Sequence, residues 1–257
     1  MSNANVPIVP PVFDPEWAKK LADAAKETQA NEQTQGNFFG TRAGVLTFGG
    51  QPVTNNRMNV VVLASVHENA WFAKGFDPSN PVSPECFAFS KDGINMVPHP
   101  NVTTAQATAC DACPKGQWGT ATNAQGQPTK GKACKQQRRL ALMAGGNLAS
   151  AADVDKGVVG ILRVPVTSVK AWSLYANKLA LLSVPPFAAI TEVACVPDQH
   201  TMFRFEFTLQ GYVTDPAVLG AITKRAEAEK LALQIPYPKN EPKAAAAPAQ
   251  ASGPSKF

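Results

Sequence analysis

Three of the chain's five cysteines lie in one short polar segment and have the spacing of metal ligands. Cys110 and Cys113 form a C-x2-C pair, which places two thiols on one tight turn. Tetrahedral zinc takes four ligands, and the further candidates are Cys134 downstream, Cys86 upstream and His99. We assign Cys86, Cys110, Cys113 and Cys134 as ligands of one structural Zn²⁺ per chain, with His99 as the reserve ligand.

Two other interpretations of these cysteines stay open. The C-x2-C pair is also the spacing of a redox pair in a thioredoxin-like fold, but here it does not lie at the strand-to-helix junction of a βαβ unit. The thiols could also be inert. In a reducing compartment clustered cysteines favour metal binding over disulfides, and five cysteines cannot all pair. Cys195 lies in an apolar strand and is predicted to be a core residue.

The segment from Cys110 to Arg139 carries as much net charge as the whole chain. Its six basic residues and one acidic residue, Asp111, give +5, which is also the formal net charge of all 257 residues. A rigid basic loop suits phosphate backbones, because ordered side chains lose less entropy on binding and because binding releases counterions. We therefore predict nucleic-acid contacts at Lys115, Lys130, Lys132, Lys135, Arg138 and Arg139.

Aromatic side chains are the second requirement of a single-strand site, since unpaired bases stack on them. Trp118 lies in the polar segment, where no core is evident, so we predict that it either stacks on a base or covers the metal site. Phe203, Phe205 and Phe207 alternate along a predicted strand, and Trp172 lies on the apolar face of a predicted helix. Both of these patterns favour core positions over stacking positions.

The rest of the chain predicts the scaffold that must position these residues. With 44% hydrophobic residues the chain can bury a sizeable core. The patterns give two strands, TRAGVLTFGG and RMNVVVLASVHEN, then an irregular insertion, a strand, a helix, two strands and a final helix. Asp215 and Pro216 are predicted to begin that final helix. A barrel of five strands with a helix between the third and fourth is the OB arrangement. We predict a mainly β fold with flanking helices (α+β), an OB-like five-stranded barrel with an inserted zinc-binding module.

The predicted boundaries divide the chain into three parts. Residues 1–40 form an N-terminal extension with a helix that has Asp14 as its N-cap and Pro15 at its first position, residues 41–235 form the OB-like core, and residues 236–257 form a disordered tail. The zinc-binding module is inserted at about residues 86–146. The stretch CKQQRRLALMAG, close to the end of the module, is predicted to be helical.

Composition and motifs exclude several classes of function. No apolar run is long enough for a membrane span, and the N-terminus lacks the pattern of a signal peptide, so we expect a cytoplasmic protein without a membrane partner. The three histidines are scattered, and Walker, dinucleotide-glycine and deaminase H-x-E motifs are missing. We therefore predict that the chain is not an enzyme.

Four stretches carry a resemblance to a known family: PECFAFSKDG, CDACPKGQWGTA, GKACKQQRRL and VPVTSVKAWSLYANKLA. Over about residues 40–232 the chain resembles zinc-containing single-stranded-DNA-binding proteins of tailed bacteriophages, similar in plan to the helix-destabilising protein of T-even phages. The resemblance implies an OB-like core with a zinc module and non-specific binding of single-stranded DNA. It also implies a role in phage DNA replication or recombination in the host cytoplasm, with replication or recombination proteins as further partners.

The chain departs from this family at two points. The T-even protein has a histidine among its metal ligands, whereas four cysteines suffice here. Replication-type binding proteins usually end in an acidic tail, but this tail contains Lys239, Lys243 and Lys256 against Glu241. The alternative interpretation is a zinc-stabilised phage structural or adaptor protein that does not bind nucleic acid.

Overall fold

The computed structural model describes residues 14, 16, 17, 20, 21, 38–42, 44–73, 83–123 and 125–237. Most of the predicted N-terminal extension, and the predicted tail beyond residue 237, lie outside these ranges. Near the N-terminus Glu16, Trp17, Lys20 and Leu21 are helical. The Glu16 amide donates to the Asp14 carboxylate at 3.0 Å, which is the capping contact that the sequence predicts.

Nine strands in the described residues form one mixed sheet. They are β1 (Phe38–Arg42), β2 (Val45–Phe48), β3 (Gln51–Pro52), β4 (Arg57–Trp71), β5 (Cys86–Ser90), β6 (Lys135–Ala144), β7 (Val159–Val164), β8 (Ala189–Asp198) and β9 (Met202–Tyr212). Their order is β3-β2-β1-β7-β6-β4-β8-β9, and β5 pairs with the end of β4. Only β1 and β7 pair in parallel. The sheet is curled and open, like half a barrel.

The mainly β class with flanking helices is confirmed, but the sheet has nine strands where the sequence predicts five. The stretch TRAGVLTFGG, predicted as one strand, contains turns at Gly44 and at Gly49 and Gly50. The φ angles of these three glycines are positive, a conformation that suits glycine. These turns divide the N-terminal region into β1, β2 and β3, and β5 comes from the segment predicted to be irregular.

Strand β6 takes the place of the helix predicted for CKQQRRLALMAG. Leu140 and Leu142 pack into a core on one face of the sheet, and Ala141 and Met143 pack into a core on the other face. A strand that is covered on both faces needs a continuous apolar run. The helix propensity of Leu, Ala and Met is overridden because β6 pairs with β4 on one side and with β7 on the other.

Three helices follow the insertion: α1 (Ala151–Lys156), α2 (Val166–Leu181) and α3 (Pro216–Ala232). Helix α3 begins as the sequence predicts, with Pro216 in its first turn and the Asp215 carboxylate accepting the Val218 amide at 2.9 Å. In the described ranges no helix combines the length and the apolar character that a membrane span needs.

The two helices α2 and α3 cover opposite faces of the sheet. The core under α2 includes Trp172, Phe205 and Cys195, which confirms the core predictions for these residues, and Phe203 and Phe207 pack against it as partly buried residues. Helix α2 also protects the edge of the sheet, because Ser168 Oγ accepts the Phe205 amide at 2.9 Å. The core under α3 contains Val61, Leu63, Val66, Met143, Val218 and Ile222.

Residues 91–134, between β5 and β6, form the irregular segment, which we call the insertion. It is shorter than the predicted module at about 86–146, because both flanking strands belong to the main sheet. Among its described residues the buried apolar side chains are Met96, Cys113 and Ala121, and none of them belongs to either core. Apolar packing therefore contributes little to the order of the insertion, as the sequence predicts.

The predicted disordered tail starts too early in the chain. Leu233 is fully buried, and the Tyr237 hydroxyl donates to Glu68 Oε1 at 2.5 Å. Tyr237 also packs edge-on against Phe87, with 5.1 Å between the ring centroids. The chain is thus docked on the sheet as far as Tyr237, and this corrects the predicted boundary at residue 236.

Candidate metal centre and nucleic-acid surface

The end of β4 brings two of the four predicted ligands close to each other. Cys86 is the first residue of β5 and pairs with Trp71, the last residue of β4. Cys134 directly precedes β6, whose first residue, Lys135, pairs with Ala70 on the other side of β4. The two cysteines therefore flank the same strand end.

The C-x2-C pair forms a tight turn that the returning chain contacts directly. The Cys113 amide donates to the Cys110 carbonyl at 3.2 Å, and the Gly116 amide donates to the Cys113 carbonyl at 3.0 Å. The Cys134 amide donates to the Lys115 carbonyl at 2.8 Å. This last bond holds the third cysteine of the segment beside the first two.

All four cysteines line one cavity of about 20 Å³, which is the space of a single water molecule or ion. Strand β4 contributes Asn69 and Trp71 to the wall, and β6 contributes Gln136. Sequence reasoning missed these three residues. The sequence feature that could have identified them is the two-residue period of a strand, because it places alternate residues of β4 and β6 on the face that carries the cysteines.

The reserve ligand His99 does not line this cavity. Its ring stacks on Phe87, with 5.1 Å between the ring centroids, and meets Phe89 edge-on at 5.9 Å. Its Nδ1 accepts the Asn101 amide at 3.1 Å. The geometry therefore favours the four cysteines over a set that includes His99.

The cysteines line the cavity without closing on a common point. In the described part of the chain, no three His, Cys, Asp or Glu side chains form a finished metal site. The sulfur of a cysteine moves by rotation about the Cα–Cβ bond, so the backbone positions around the cavity decide whether an ion fits. Four thiols around an ion-sized space are the donor set of a structural zinc. The residues present therefore fit the ion that the resemblance implies.

The cavity makes the thiols difficult to ionise in the absence of a cation. Burial and, after it, the nearby thiols of Cys110, Cys113 and Cys86 raise the pKa of Cys134 to about 12. Burial also raises the pKa of Cys86 and of Cys110, and at Cys110 a hydrogen bond from Asn69 opposes the rise. A divalent cation reverses this preference, because thiolates are its ligands.

Five of the six predicted basic contacts have solvent-accessible side chains. Lys130 and Lys135 are exposed, and Lys115, Lys132 and Arg138 are partly exposed. Lys132 Nζ donates to Gln136 at 3.2 Å, and Lys135 Nζ donates to the Lys132 carbonyl at 2.9 Å. These five cations lie on the insertion and on the first half of β6.

Arg139 is the exception, and its prediction as a DNA contact is corrected. Its side chain is 1% exposed and forms an ion pair with Glu68, with Nη2 at 2.7 Å from Oε1. Its Nη1 also donates to the carbonyls of Leu233, at 3.2 Å, and Ile235, at 2.8 Å. Alternation along β6 places Arg139 on the face opposite Arg138, beneath the C-terminal segment.

Trp118 is 76% exposed on the insertion, and it does not line the cysteine cavity. It forms an isolated β-bridge with Lys132, whose Nζ lies 5.1 Å from the centroid of the indole ring. Trp71 lies in the wall of the cavity instead, with Lys115 Nζ at 4.9 Å from its ring centroid. Of the two roles predicted for Trp118, covering the metal site is therefore not supported.

Comparison of the chain with family models, curated proteins and solved structures finds no match.

Proposed function

We propose that this protein binds single-stranded DNA without sequence preference and that a structural zinc ion orders its binding surface. It would protect and organise single strands during the DNA replication or recombination of a tailed bacteriophage, in the host cytoplasm. The observation that carries the proposal is the solvent exposure of Trp118 beside Lys132. A large aromatic side chain is held in solvent beside a lysine, and five accessible cations lie on the insertion and on the adjoining first half of β6.

A surface of this kind supplies both requirements of single-strand binding. Bases stack on exposed aromatic faces whatever their identity, and each such stack contributes about 1–3 kcal/mol. Lysine and arginine neutralise phosphates and release counterions. Because Trp118 and Lys132 are bridged, one base and its phosphate can be bound at neighbouring positions.

In this proposal a zinc ion holds the polar surface of the insertion in place. A zinc ion bound by Cys86, Cys110, Cys113 and Cys134 would supply the cross-links that apolar packing does not provide in the insertion. The sheet is curled, and α2 lies between β7 and β8. Both features support an OB-like fold, which is part of the proposal.

The metal site is tested by native mass spectrometry of the purified full chain. We expect one zinc per chain, a lower zinc content after substitution of any one of the four cysteines by serine, and no change after His99→Ala. Unchanged zinc content in all four serine variants, with loss of zinc in His99→Ala, would show that the ligand set is wrong.

DNA binding is tested by fluorescence anisotropy with a labelled mixed-sequence oligonucleotide over a salt series. Five phosphate contacts give a log–log slope of about 3.5, since each contributes roughly 0.7 on single strands. The double variant Lys132→Ala, Lys135→Ala should lower the slope by about 1.4. Trp118→Ala should weaken binding by about 1–3 kcal/mol and leave the slope nearly unchanged, because stacking releases few ions.

The chain offers matched controls for both effects. Trp17 is also an exposed tryptophan with a lysine, Lys20, over its ring at 5.3 Å, so Trp17→Ala removes the same kind of contact outside the insertion. Substitution of Lys170 and Lys178 on α2 removes the same charge from a helix. We expect both controls to bind like the wild type. If the zinc-loaded wild type does not retain the oligonucleotide at low salt, the structural or adaptor role replaces this proposal.

A further inference from the structure

The side chain of Tyr237 occupies a slot on the sheet face opposite the cysteine cavity. The slot is formed by Phe87, Glu68, Arg139 and Arg163, and we call it the Tyr237 slot. The guanidinium carbons of Arg139 and Arg163 lie 4.9 and 4.8 Å from the centroid of the Tyr237 ring. An aromatic ring next to two guanidinium groups and a phenyl ring is in the surroundings that proteins provide for an unpaired base.

Two buried polar atoms of the residues that form this slot have no hydrogen-bond partner. They are Glu68 Oε2, an acceptor, and Arg139 Nε, a donor, and they are the unpartnered buried side-chain atoms of the described residues. Glu68 is fully buried, and its other oxygen, Oε1, accepts from both Arg139 and Tyr237. Buried polar atoms nearly always have partners, so this pair requires an explanation.

We propose that the Tyr237 slot is a binding site for a guanine base and that Tyr237 fills it when no base is bound. The Watson–Crick edge of guanine carries two neighbouring donors, N1–H and N2–H, and the acceptor O6. The two donors match the two oxygens of Glu68, and O6 matches the free Nε–H of Arg139. Tyr237 supplies only one hydroxyl to the same carboxylate, so guanine satisfies atoms that tyrosine leaves unpaired.

The position of Tyr237 permits this exchange. Tyr237 is only partly buried, so the space that it fills opens to solvent. The residue lies at the end of the docked segment, beyond Leu233 and Ile235, whose carbonyls bind Arg139. Residues 236 and 237 can therefore leave the slot while these two carbonyls keep their bonds. The inference deepens the proposed function, because it adds a base-selective site, on the face opposite the cysteine cavity, to a protein whose other proposed contacts read no sequence.

The test uses the full chain with Tyr237→Ala and titrates it with guanosine, inosine and adenosine monophosphates by isothermal titration calorimetry. Inosine lacks the N2 amino group, and adenine carries an acceptor at N1 in place of the donor. We expect guanosine monophosphate to bind about fivefold more tightly than inosine monophosphate, the effect of one net hydrogen bond, and adenosine monophosphate to bind most weakly. The wild type should bind all three more weakly than the variant does.

Glu68→Gln in the Tyr237→Ala background replaces one acceptor by a donor, and it should abolish the preference for guanosine. Thermal melting confirms that each variant is folded at the assay temperature. If Tyr237→Ala is unfolded, the test uses Tyr237→Leu, which keeps an apolar side chain over the sheet. This variant must show the same order of affinities for the three nucleotides. Equal affinity for the three nucleotides in a folded variant overturns the proposal.

The outcome is separable from that of the proposed function. The relative affinities for the three nucleotides test the Tyr237 slot alone, whereas retention of a mixed-sequence oligonucleotide by the wild type tests single-strand binding. With short thymidine oligomers, one central guanosine should strengthen binding to Tyr237→Ala by about fivefold and leave the affinity of the wild type nearly unchanged.

Discussion

Replacement of Arg139 by alanine distinguishes a structural arginine from one that contacts DNA. The substitution removes the only guanidinium that forms an ion pair with Glu68 in the described residues. It also removes the donor that the carbonyls of Leu233 and Ile235 share. The expected consequence is a loss of stability, with single-strand affinity unchanged when it is measured below the melting transition.

The magnitude follows from the burial of the pair. Glu68 is 0% and Arg139 is 1% exposed, so alanine leaves a carboxylate in the protein interior without its cation. Removal of one partner from a buried ion pair costs about 3–5 kcal/mol. In a domain of this size each kcal/mol lowers the melting temperature by about 2–4 °C, so we expect a decrease of roughly 6–20 °C.

The assay is thermal and urea unfolding of the protein in buffer that contains zinc, followed by circular dichroism. Lys135→Ala is the matched control, because it removes an exposed cation from the same strand and should change the free energy of unfolding by no more than about 0.5 kcal/mol. The double variant Glu68→Leu, Arg139→Met should recover much of the loss, since well-packed apolar residues often replace a buried pair without penalty.

One pattern of results would refute this reasoning. If Arg139→Ala keeps the melting temperature of the wild type and lowers the salt slope of DNA binding by about 0.7, then Arg139 contacts a phosphate. The buried ion pair would in that case not describe the protein in solution.

Three further predictions concern the insertion and the C-terminal segment. Chelation of zinc should make the lysines of the insertion sensitive to trypsin while the circular dichroism of the sheet is retained, because the insertion contains almost no regular structure. Gly93→Ala should destabilise the protein by more than about 2 kcal/mol, because Gly93 has φ +79° and an added Cβ would lie 2.2 Å from the ring of His67. Gly126→Ala, at φ +77° but in open space, should cost only about 1 kcal/mol, and urea unfolding compares the two variants. Deletion of residues 238–257 should leave the melting temperature nearly unchanged, whereas deletion of residues 236–257 should lower it by several degrees, because only the longer deletion removes Tyr237.

Features that depend on local chemistry were predictable from the sequence. The start of α3 follows from the capping residue Asp215 and the proline after it. The alternation of Phe203, Phe205 and Phe207 predicts a face that packs on a core, and the structure shows those side chains there. The spacing of the cysteines, combined with a lack of apolar residues around them, predicts that they share one place, and they line one cavity.

Features that depend on pairing between distant strands were not predictable in the same way. Nothing in the stretch CKQQRRLALMAG distinguishes a helix from a strand that is covered on both faces, since Leu, Ala and Met suit either. The choice depends on β4 and β7, which lie far away in the sequence and flank β6. The partner of Arg139 was hidden for the same reason, because Glu68 lies on β4, far from Arg139 in the sequence, between the polar residues His67 and Asn69.

The two-residue period of a strand determines which basic residues of the run at 135–139 lie on the same face of the sheet. In a helix, Lys135, Arg138 and Arg139 would lie on one surface, because residues three and four apart are neighbours. In a strand, Arg138 points to the face of the cysteine cavity, and Arg139 points to the face that the C-terminal segment covers. A count of charge along the sequence therefore overstates the proposed DNA surface by one cation. The expected salt slope is that of five contacts, about 3.5, and a measured slope above about 4 would require a phosphate contact from a further cation, such as the exposed Lys91 at the start of the insertion.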